Sequence, residues 1–256
     1  MIKGHIGVCR GSLDVLIRGN ISPPDDRKDT IMDIKRLTER VWYYPHEEER
    51  DRPNLGYIRG DRYVIAVDAG HSAKHTSEFY AALEREGLPL PDITVLTHWH
   101  WDHTFGMHTV HGLTLANRLT YEHLRSFREE IDGRVEERFF SLHQSIAREY
   151  AGGEPVIITM PDMVFSGEML LDAGNCPIRI YQTESPHTDD STFIQVMDEK
   201  VLFVGDASGG TFPTWEKDPV LLAKLRDTIA AIDADIIMEG HWVPQTKEEM
   251  LQDLSE

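Results

Sequence analysis

Apolar residues occur along this chain in short runs, and from residue 41 onward these runs alternate with helical patterns. The runs are rich in β-branched and aromatic residues and are bounded by glycine, aspartate or proline, which is typical of strands. Helices are expected between the runs. We predict strands at residues 41–44, 55–58, 63–67, 93–96, 163–165, 169–171, 178–181, 192–197, 201–204 and 235–238.

Capping residues mark two of the predicted helices. Asp218 is the expected N-cap of a helix over residues 220–232, because its side chain can accept from free backbone N–H groups and Pro219 suits the first turn. Thr246, followed three residues later by glutamate, predicts a capping box that opens a short final helix. A further helix is predicted over residues 77–86.

A longer helical region, residues 119–150, is rich in arginine and glutamate. Its apolar residues recur three or four positions apart, which predicts one apolar face. This face either packs on its own domain or forms a lid or dimer element, and the sequence leaves both open. The stripe consists of Leu124, Phe127, Ile131, Val135, Phe139, Leu142 and Ile146.

Composition divides the chain only near its start. Residues 1–31 contain glycine, proline and clusters of charge, and we predict an N-terminal extension that is either partly ordered or an arm over a neighbouring subunit. No linker composition interrupts the rest. Residues 32–256 are therefore predicted to form one domain, with a helical insertion at about 118–151.

Charge and hydropathy limit the classes of partner. The formal net charge is −18 over 256 residues, so the overall field repels polyanions and argues against nucleic acid. No apolar run approaches the ~20 residues of a membrane span, no secretory signal is recognised, and two cysteines make no disulfide framework. We expect a cytoplasmic protein that acts on a small-molecule substrate without a membrane, and a homodimer is left open.

The densest polar motif directly follows the predicted strand at 93–96 and reads His-Trp-His-Trp-Asp-His. His98 and His100 would share one side of an extended chain, since side chains alternate with period two. Asp102 and His103 follow on the turn. Imidazole nitrogen and carboxylate oxygen are ligands that zinc accepts, so the motif predicts a metal site.

Three later residues extend this motif, each at the end of a predicted strand or in the loop after it. They are His187, Asp206 and His241. A strand that ends in a polar ligand can hold it within the tolerance that a metal requires. Asp68 likewise follows the predicted strand at 63–67.

In their order and spacing, these residues resemble the five motifs of the metallo-β-lactamase-fold superfamily, over about residues 41–245. The resemblance implies an α/β (α+β) fold, a four-layer αβ/βα sandwich with the metal site at one edge of two packed sheets. It also implies two Zn²⁺ per chain, with iron or manganese as alternatives. The residues that carry it are Asp68, His98, His100, Asp102, His103, His187, Asp206 and His241.

The resemblance also assigns the ligands. It implies that His98, His100 and His187 hold one ion, that Asp102, His103 and His241 hold a second, and that Asp206 bridges them. Asp102 is also a candidate catalytic residue that shuttles a proton. For Asp68 we predict a supporting role, in which it orients a ligand or ties the loop.

The implied activity is hydrolysis, in which hydroxide bridging two zinc ions attacks an ester, thioester or lactone carbonyl. Classical zinc β-lactamases usually have cysteine or serine where this chain has Asp206. At that position the chain is more similar to the glyoxalase II, lactonase and phosphodiesterase branches of the superfamily. The alternatives are a phosphodiesterase on a small phosphodiester and a mononuclear-iron dioxygenase of the same fold. The complete second ligand set argues against the dioxygenase.

Aromatic residues near the motifs are candidates for the substrate pocket. The loop over residues 208–211 is a further candidate, because its two glycines permit a close backbone approach. The aromatic candidates are Trp99, Trp101, Phe212, Trp215 and Trp242.

Overall fold

The computed structural model describes residues 31–131 and 144–255. The predicted extension over residues 1–31 lies outside these ranges except for its last residue, as do three residues of the apolar stripe. Within the described ranges, no helix has both the length and the apolar character needed to cross a membrane. The stripe residues outside them are Val135, Phe139 and Leu142.

Seven strands form a first sheet in which sequence order and spatial order coincide. The first four pair antiparallel and the last four pair parallel. The strands are β1 (Lys35–Arg36), β2 (Val41–Tyr44), β3 (Leu55–Arg59), β4 (Val64–Val67), β5 (Ile93–Val95), β6 (Leu113–Asn117) and β7 (Met163–Phe165).

Six strands form a second sheet, in the order β13-β12-β11-β10-β9-β8. Only β11 and β12 pair parallel, and the remaining neighbours are antiparallel. The strands are β8 (Glu168–Asp172), β9 (Pro177–Gln182), β10 (Thr192–Val196), β11 (Val201–Gly205), β12 (Ile236–Glu239) and β13 (Gln245–Thr246).

Three helices begin where a capping side chain satisfies free backbone N–H groups. Asp218 accepts from the backbone N of Val220 at 2.7 Å, and both halves of the Thr246 capping box are present, so these two predictions are confirmed. The helix predicted over 77–86 begins earlier, because the Ser72 side chain caps it. The helices are α1 (Ala73–Arg85), α2 (Trp101–Thr104), α3 (Arg118–Ile131), α4 (Gln144–Glu149), α5 (Pro219–Ala231) and α6 (Lys247–Asp253).

Alternation along β11 shows how the layers stack. Val201 and Phe203 enter the core between the two sheets, whereas Leu202 and Val204 pack on the opposite face with side chains of α5 and α6. The outer face of the first sheet is covered by α1. The order of layers is therefore helix, sheet, sheet, helix, which confirms the predicted αβ/βα sandwich.

Three strands were not predicted, because their extended form depends on partners. β1 and β13 have two residues each and are ordered by pairing with β2 and β12, not by strong propensity of their own. β6 is fixed partly by Thr114, whose N–H and hydroxyl both donate to the carboxylate of Asp162 at 2.8 Å. Such long-range contacts leave little trace in a local pattern.

A buried ion cluster ties the loop before β3 to two helices. The guanidinium of Arg52 is fully buried and lies 2.7 Å from carboxylate oxygens of Glu149 in α4 and Glu78 in α1, and 3.2 Å from Glu47. Glu149 also accepts from the hydroxyl of Ser72. Removing the cation would leave the buried carboxylate of Glu149 and two partly buried carboxylates without their counter-charge, which is costly.

We predict that Arg52→Met lowers the free energy of unfolding by about 3–5 kcal/mol, because breaking a buried ion cluster leaves uncompensated charge. Thermal denaturation should shift downward by about 10 °C. Arg40→Met is the matched control, since Arg40 pairs with Asp61 at the exposed surface. Equal shifts for the two variants would contradict a structural role for the cluster.

Candidate metal centre

Carboxyl ends of strands from both sheets meet at one edge of the sandwich. Asp68 follows β4 and the His-Trp-His-Trp-Asp-His segment follows β5, while Asp206 follows β11 and His241 follows β12. Each of these polar residues comes directly after a buried strand or a few residues beyond it. The polar side chains of the two sheets therefore lie close together at this edge. All seven predicted ligands lie in two neighbouring clusters at this edge.

The first cluster consists of three buried imidazoles. Nε2 of His187 lies 2.8 Å from Nδ1 of His100 and 3.3 Å from Nε2 of His98. Nδ1 of His187 lies 2.9 Å from the carbonyl oxygen of Gly210, to which it can donate. That contact leaves the Nε2 lone pair of His187 directed at the other two rings.

The electrostatics of the first cluster favour neutral rings. Burial, reinforced by the neighbouring imidazoles, lowers the pKa of His98 well below its usual value. Burial and then His187 lower the pKa of His100 to about 3. Burial also lowers the pKa of His187. Neutral imidazoles with convergent lone pairs are the donor set of a divalent cation.

The second cluster contains two carboxylates and two imidazoles. Nε2 of His241 lies 2.9 Å from Oδ2 of Asp102 and 3.4 Å from Oδ2 of Asp206. The same Asp206 oxygen lies 3.4 Å from Nε2 of His103 and 3.9 Å from Nε2 of His187. Asp206 therefore lies between the two clusters.

Charge is distributed differently in this second cluster. Burial alone would lower the pKa of His103 and His241, but nearby carboxylates raise both well above the usual value. Burial would likewise raise the pKa of Asp102 and Asp206, but the two imidazoles hold both well below their usual range. Without an ion, the second cluster is thus a set of mutually compensating charges.

Unpartnered atoms test whether the second cluster fits a cation. Nε2 of His103 and Oδ1 of Asp206 are buried and have no hydrogen-bond partner in the described part of the chain. Such orphaned buried atoms are uncommon and call for a ligand. A Cβ on Gly240 would lie 2.1 Å from Oδ1 of Asp206, so only glycine leaves room there. The cluster fits a divalent cation.

Asp68 contacts His103 of the second cluster and Thr97, which directly precedes His98 of the first cluster. Its carboxylate accepts from the backbone N of Thr97 at 2.7 Å and lies 2.7 Å from Nδ1 of His103. The contact with His103 turns the Nε2 atom of that ring toward Asp102 and Asp206. Asp68 therefore ties the loop after β5, one of its two predicted roles, and its role in orienting a metal ligand stays a prediction.

A third group of metal-binding residue types lies apart from these clusters and was not singled out in the sequence. Nε2 of His123 lies 2.7 Å from Oδ1 of Asp189 at the surface. The neighbouring Asp190 carboxylate accepts from the hydroxyls of Thr120 and Thr188, and burial raises its pKa to about 6. Both oxygens of Asp190 are thus used in structural hydrogen bonds.

A cavity of about 450 Å³ opens beside the two clusters. Four of the five predicted aromatic residues line it, together with Ser208 and Gly209 from the predicted loop. Trp99 does not line the cavity, because its side chain packs against Leu124 and Phe127 instead. The prediction for Trp99 was therefore wrong. The aromatic lining residues are Trp101, Phe212, Trp215 and Trp242.

Three charged side chains of the lining were missed in the sequence. They are Asp51, Lys217 and Glu239, which come from three separate segments. Oδ2 of Asp51 accepts from Nε1 of Trp101 at 2.9 Å, and Glu239 accepts from the hydroxyl of Ser208. Burial raises the pKa of Glu239 to about 7. Of the three, only Glu239 could have been suspected from the sequence, because it lies two residues before the predicted ligand His241.

The structure is similar to several solved structures. A metallo-beta-lactamase from Pontibacter korlensis gives a TM-score of 0.62 at 16% identity, over 87% of this chain and 97% of that chain. Metallo beta lactamase from Hirschia baltica gives 0.60 at 15% identity, over 87% and 95%. The stereoselective inverting sec-alkylsulfatase Pisa1 from Pseudomonas sp. gives 0.67 at 13% identity, over 87% of this chain and 40% of that chain.

At these identities the likeness shows the fold alone. A comparison with curated proteins finds no match at the significance required. The family model described as the metallo-beta-lactamase superfamily, in contrast, matches residues 49–241, which is most of the chain and includes all seven predicted ligands. Fold, ligand clusters and family match agree, and the chain belongs to the metallo-beta-lactamase superfamily.

Proposed function

We propose that the protein is a binuclear zinc hydrolase that cleaves an ester, thioester or lactone of a small molecule. The observation that carries this proposal is the pair of adjacent clusters, three neutral imidazoles beside two imidazoles and two carboxylates, open to one cavity. The superfamily consists mostly of metal-dependent hydrolases, which supports the same reaction type. A cavity of about 450 Å³ suits a small molecule.

The chemistry of the donors supports zinc. In this proposal, His98, His100 and His187 would hold one ion, Asp102, His103 and His241 would hold a second, and Asp206, which lies between the clusters, would serve both. Borderline nitrogen donors and a few carboxylates suit zinc, whereas a site for magnesium or calcium would be built mainly from oxygen. A bound pair of dications supplies an activated water at neutral pH and polarises the substrate's carbonyl.

The side chains around the ions position the reactants and move protons. Asp102 lines the cavity, and its carboxylate can take up a proton from the attacking water and return it to the leaving group. Gly210 fixes the His187 tautomer through its carbonyl, and Asp68 does the same for His103. Trp101 and Phe212 meet edge to face, at 5.3 Å between ring centroids, and form an apolar part of the cavity wall.

A phosphodiester is the competing substrate, and the lining of the cavity argues against it. Phosphate recognition generally uses arginine or several cationic side chains. Among the residues that line the cavity, Lys217 is the single lysine or arginine, and Asp51 and Glu239 are acidic. A carbonyl compound is therefore favoured over a phosphodiester, and the complete second cluster disfavours a mononuclear-iron dioxygenase.

Elemental analysis and a substrate panel test this function. We expect two zinc ions per chain and turnover of a lactone, thioester or ester, with phosphodiester and β-lactam substrates slower. His100→Ala should lose bound zinc and at least about 100-fold in kcat/KM, because the metal contributes several kcal/mol. His111→Ala is the control, since His111 is exposed and away from both clusters. One iron per chain with oxygen consumption and no hydrolysis would contradict the proposal.

Proton release on metal binding tests the two-cluster assignment. Metal and protons compete for imidazole nitrogen. In the metal-free protein, the pKa is lowered for the first-cluster histidines and raised for His103 and His241. At pH 6 the first zinc equivalent should therefore displace few protons and the second should displace more. Calorimetric titration in buffers of different ionisation enthalpy measures both, and equal release would count against the assignment.

A further inference from the structure

The wall of the cavity is unusually rich in tryptophan. Three of the five tryptophans in the chain, Trp101, Trp215 and Trp242, line it. Trp101 is 4% exposed, whereas Trp215 and Trp242 are 50% and 62% exposed. The two exposed rings lie in the cavity wall and are open to a bound molecule.

The backbone at Trp215 is strained, and the surrounding loop holds it there. Its φ of 59° lies in the left-handed region, which a bulky residue rarely adopts. The N–H of Trp215 donates to the carbonyl of Thr211 at 2.8 Å, and the N–H of Thr211 donates to Glu216 at 2.9 Å. A Cβ on Gly210 would lie 2.0 Å from the Trp215 carbonyl oxygen, so the turn needs glycine.

This strain places the indole in the cavity. The Trp215 ring lies nearly parallel to that of His187, at 21° and 6.1 Å between centroids, and meets the edge of Phe212 at 5.6 Å. A strained residue persists where the surrounding structure demands it, and such residues cluster at binding sites. Trp215 therefore has the features of a residue that contacts the substrate.

Two carboxyl groups outside both ligand clusters share this wall. Asp51 also has a left-handed backbone, with φ of 53°, and the indole N–H of Trp101 donates to its Oδ2 atom at 2.9 Å. Glu239 is 7% exposed. Against them stands one ammonium group, that of Lys217. Outside the two ligand clusters, acidic side chains therefore outnumber basic ones in the lining by two to one.

Carboxyl groups set among indole rings have a specific binding preference. A wholly apolar ligand would gain from the rings but would desolvate the carboxyls without replacing their hydrogen bonds. At this part of the wall, away from the ligand clusters, an anionic group would be repelled by Asp51. An organic ammonium group is attracted both by the π-faces, with tryptophan the strongest, and by the carboxylates. The negative field of the whole protein also favours its approach.

We propose that the substrate carries an organic ammonium group, held against Trp215 and Trp242 with Asp51 as its counter-charge, while the scissile carbonyl lies at the metal clusters. This inference rests on the proposed hydrolase function for the identity of the scissile bond. The ammonium group can be quaternary or primary, since both carry the same charge. Quaternary groups depend more on the rings, and primary groups more on the carboxyls.

Ligand binding tests the inference without turnover. The zinc-loaded protein is titrated with benzyltrimethylammonium, benzylammonium and benzenesulfonate, and quenching of tryptophan fluorescence is recorded. We expect at least one of the two cations to bind at least tenfold more tightly than the sulfonate. Sulfonate binding equal to or tighter than that of both cations would overturn the inference.

Two variants extend this test, one that removes an acidic group from the cavity wall and one that removes a basic group. Asp51→Asn should weaken binding of the preferred cation about tenfold, and Lys217→Gln should strengthen it while weakening sulfonate binding. Zinc content and circular dichroism establish that each variant retains its fold and metal. Unchanged cation affinity in a folded, zinc-loaded Asp51→Asn protein would overturn the role of Asp51 and with it the inference.

A pair of esters of equal shape separates this inference from the proposed function. The substrates are 2-(trimethylammonio)ethyl acetate and its neutral isostere, 3,3-dimethylbutyl acetate. We expect kcat/KM to be at least tenfold higher for the cationic ester, and the ratio to fall in Asp51→Asn. Equal hydrolysis of both esters would overturn the inference but leave the hydrolase function standing. Selective cation binding with no hydrolysis of any ester, thioester or lactone would overturn the proposed function alone.

Discussion

One buried carboxylate organises the whole candidate metal centre. Asp68 follows β4 in a left-handed conformation, with φ of 66°, which aspartate tolerates better than most residues. From there it holds the backbone and the hydroxyl of Thr97 at the end of β5, and it lies 2.7 Å from Nδ1 of His103. One side chain thus links two parallel strands to a predicted ligand from each cluster, since His98 directly follows Thr97.

The electrostatic difference between the clusters follows from where the carboxylates lie. Three imidazoles buried together stay neutral, because charging any of them would place a cation in an apolar site beside other potential cations. Asp102 and Asp206 change this balance in the second cluster, where buried carboxylates require positive partners. In the absence of an ion, His103 and His241 provide that charge as protonated rings. A dication can replace their protons without leaving either carboxylate uncompensated.

Reactivity and selectivity are carried by different parts of the fold. The predicted ligands follow strand ends or lie in loops held by them, and Asn54 reinforces this edge by donating from Nδ2 to the carbonyls of Glu239 and Trp242 at 2.8 and 2.7 Å. The residues that line the cavity beyond the ligands come mostly from loops, with Trp101 at the start of α2 and Glu239 at the end of β12. A scaffold of this kind can keep its chemistry while its loops change the ligand that it accepts.

The sequence alone determined the local elements and the list of predicted ligands. Runs such as those in β2 and β7, the Asp218 and Thr246 caps, and the dense histidine motif all lie within a few residues, where periodicity and spacing carry the information. The family resemblance added the layer order, which alternation of strands and helices would not have revealed. Contacts among distant residues were decided only by the tertiary structure. His187 and His98, whose Nε2 atoms are in contact, are 89 residues apart in the sequence. Asp51 and its hydrogen-bond partner Trp101 are 50 residues apart. Trp99 and Trp101 are equally aromatic and flank the same ligand, yet only Trp101 lines the cavity, because the turn into α2 directs neighbouring side chains to opposite sides.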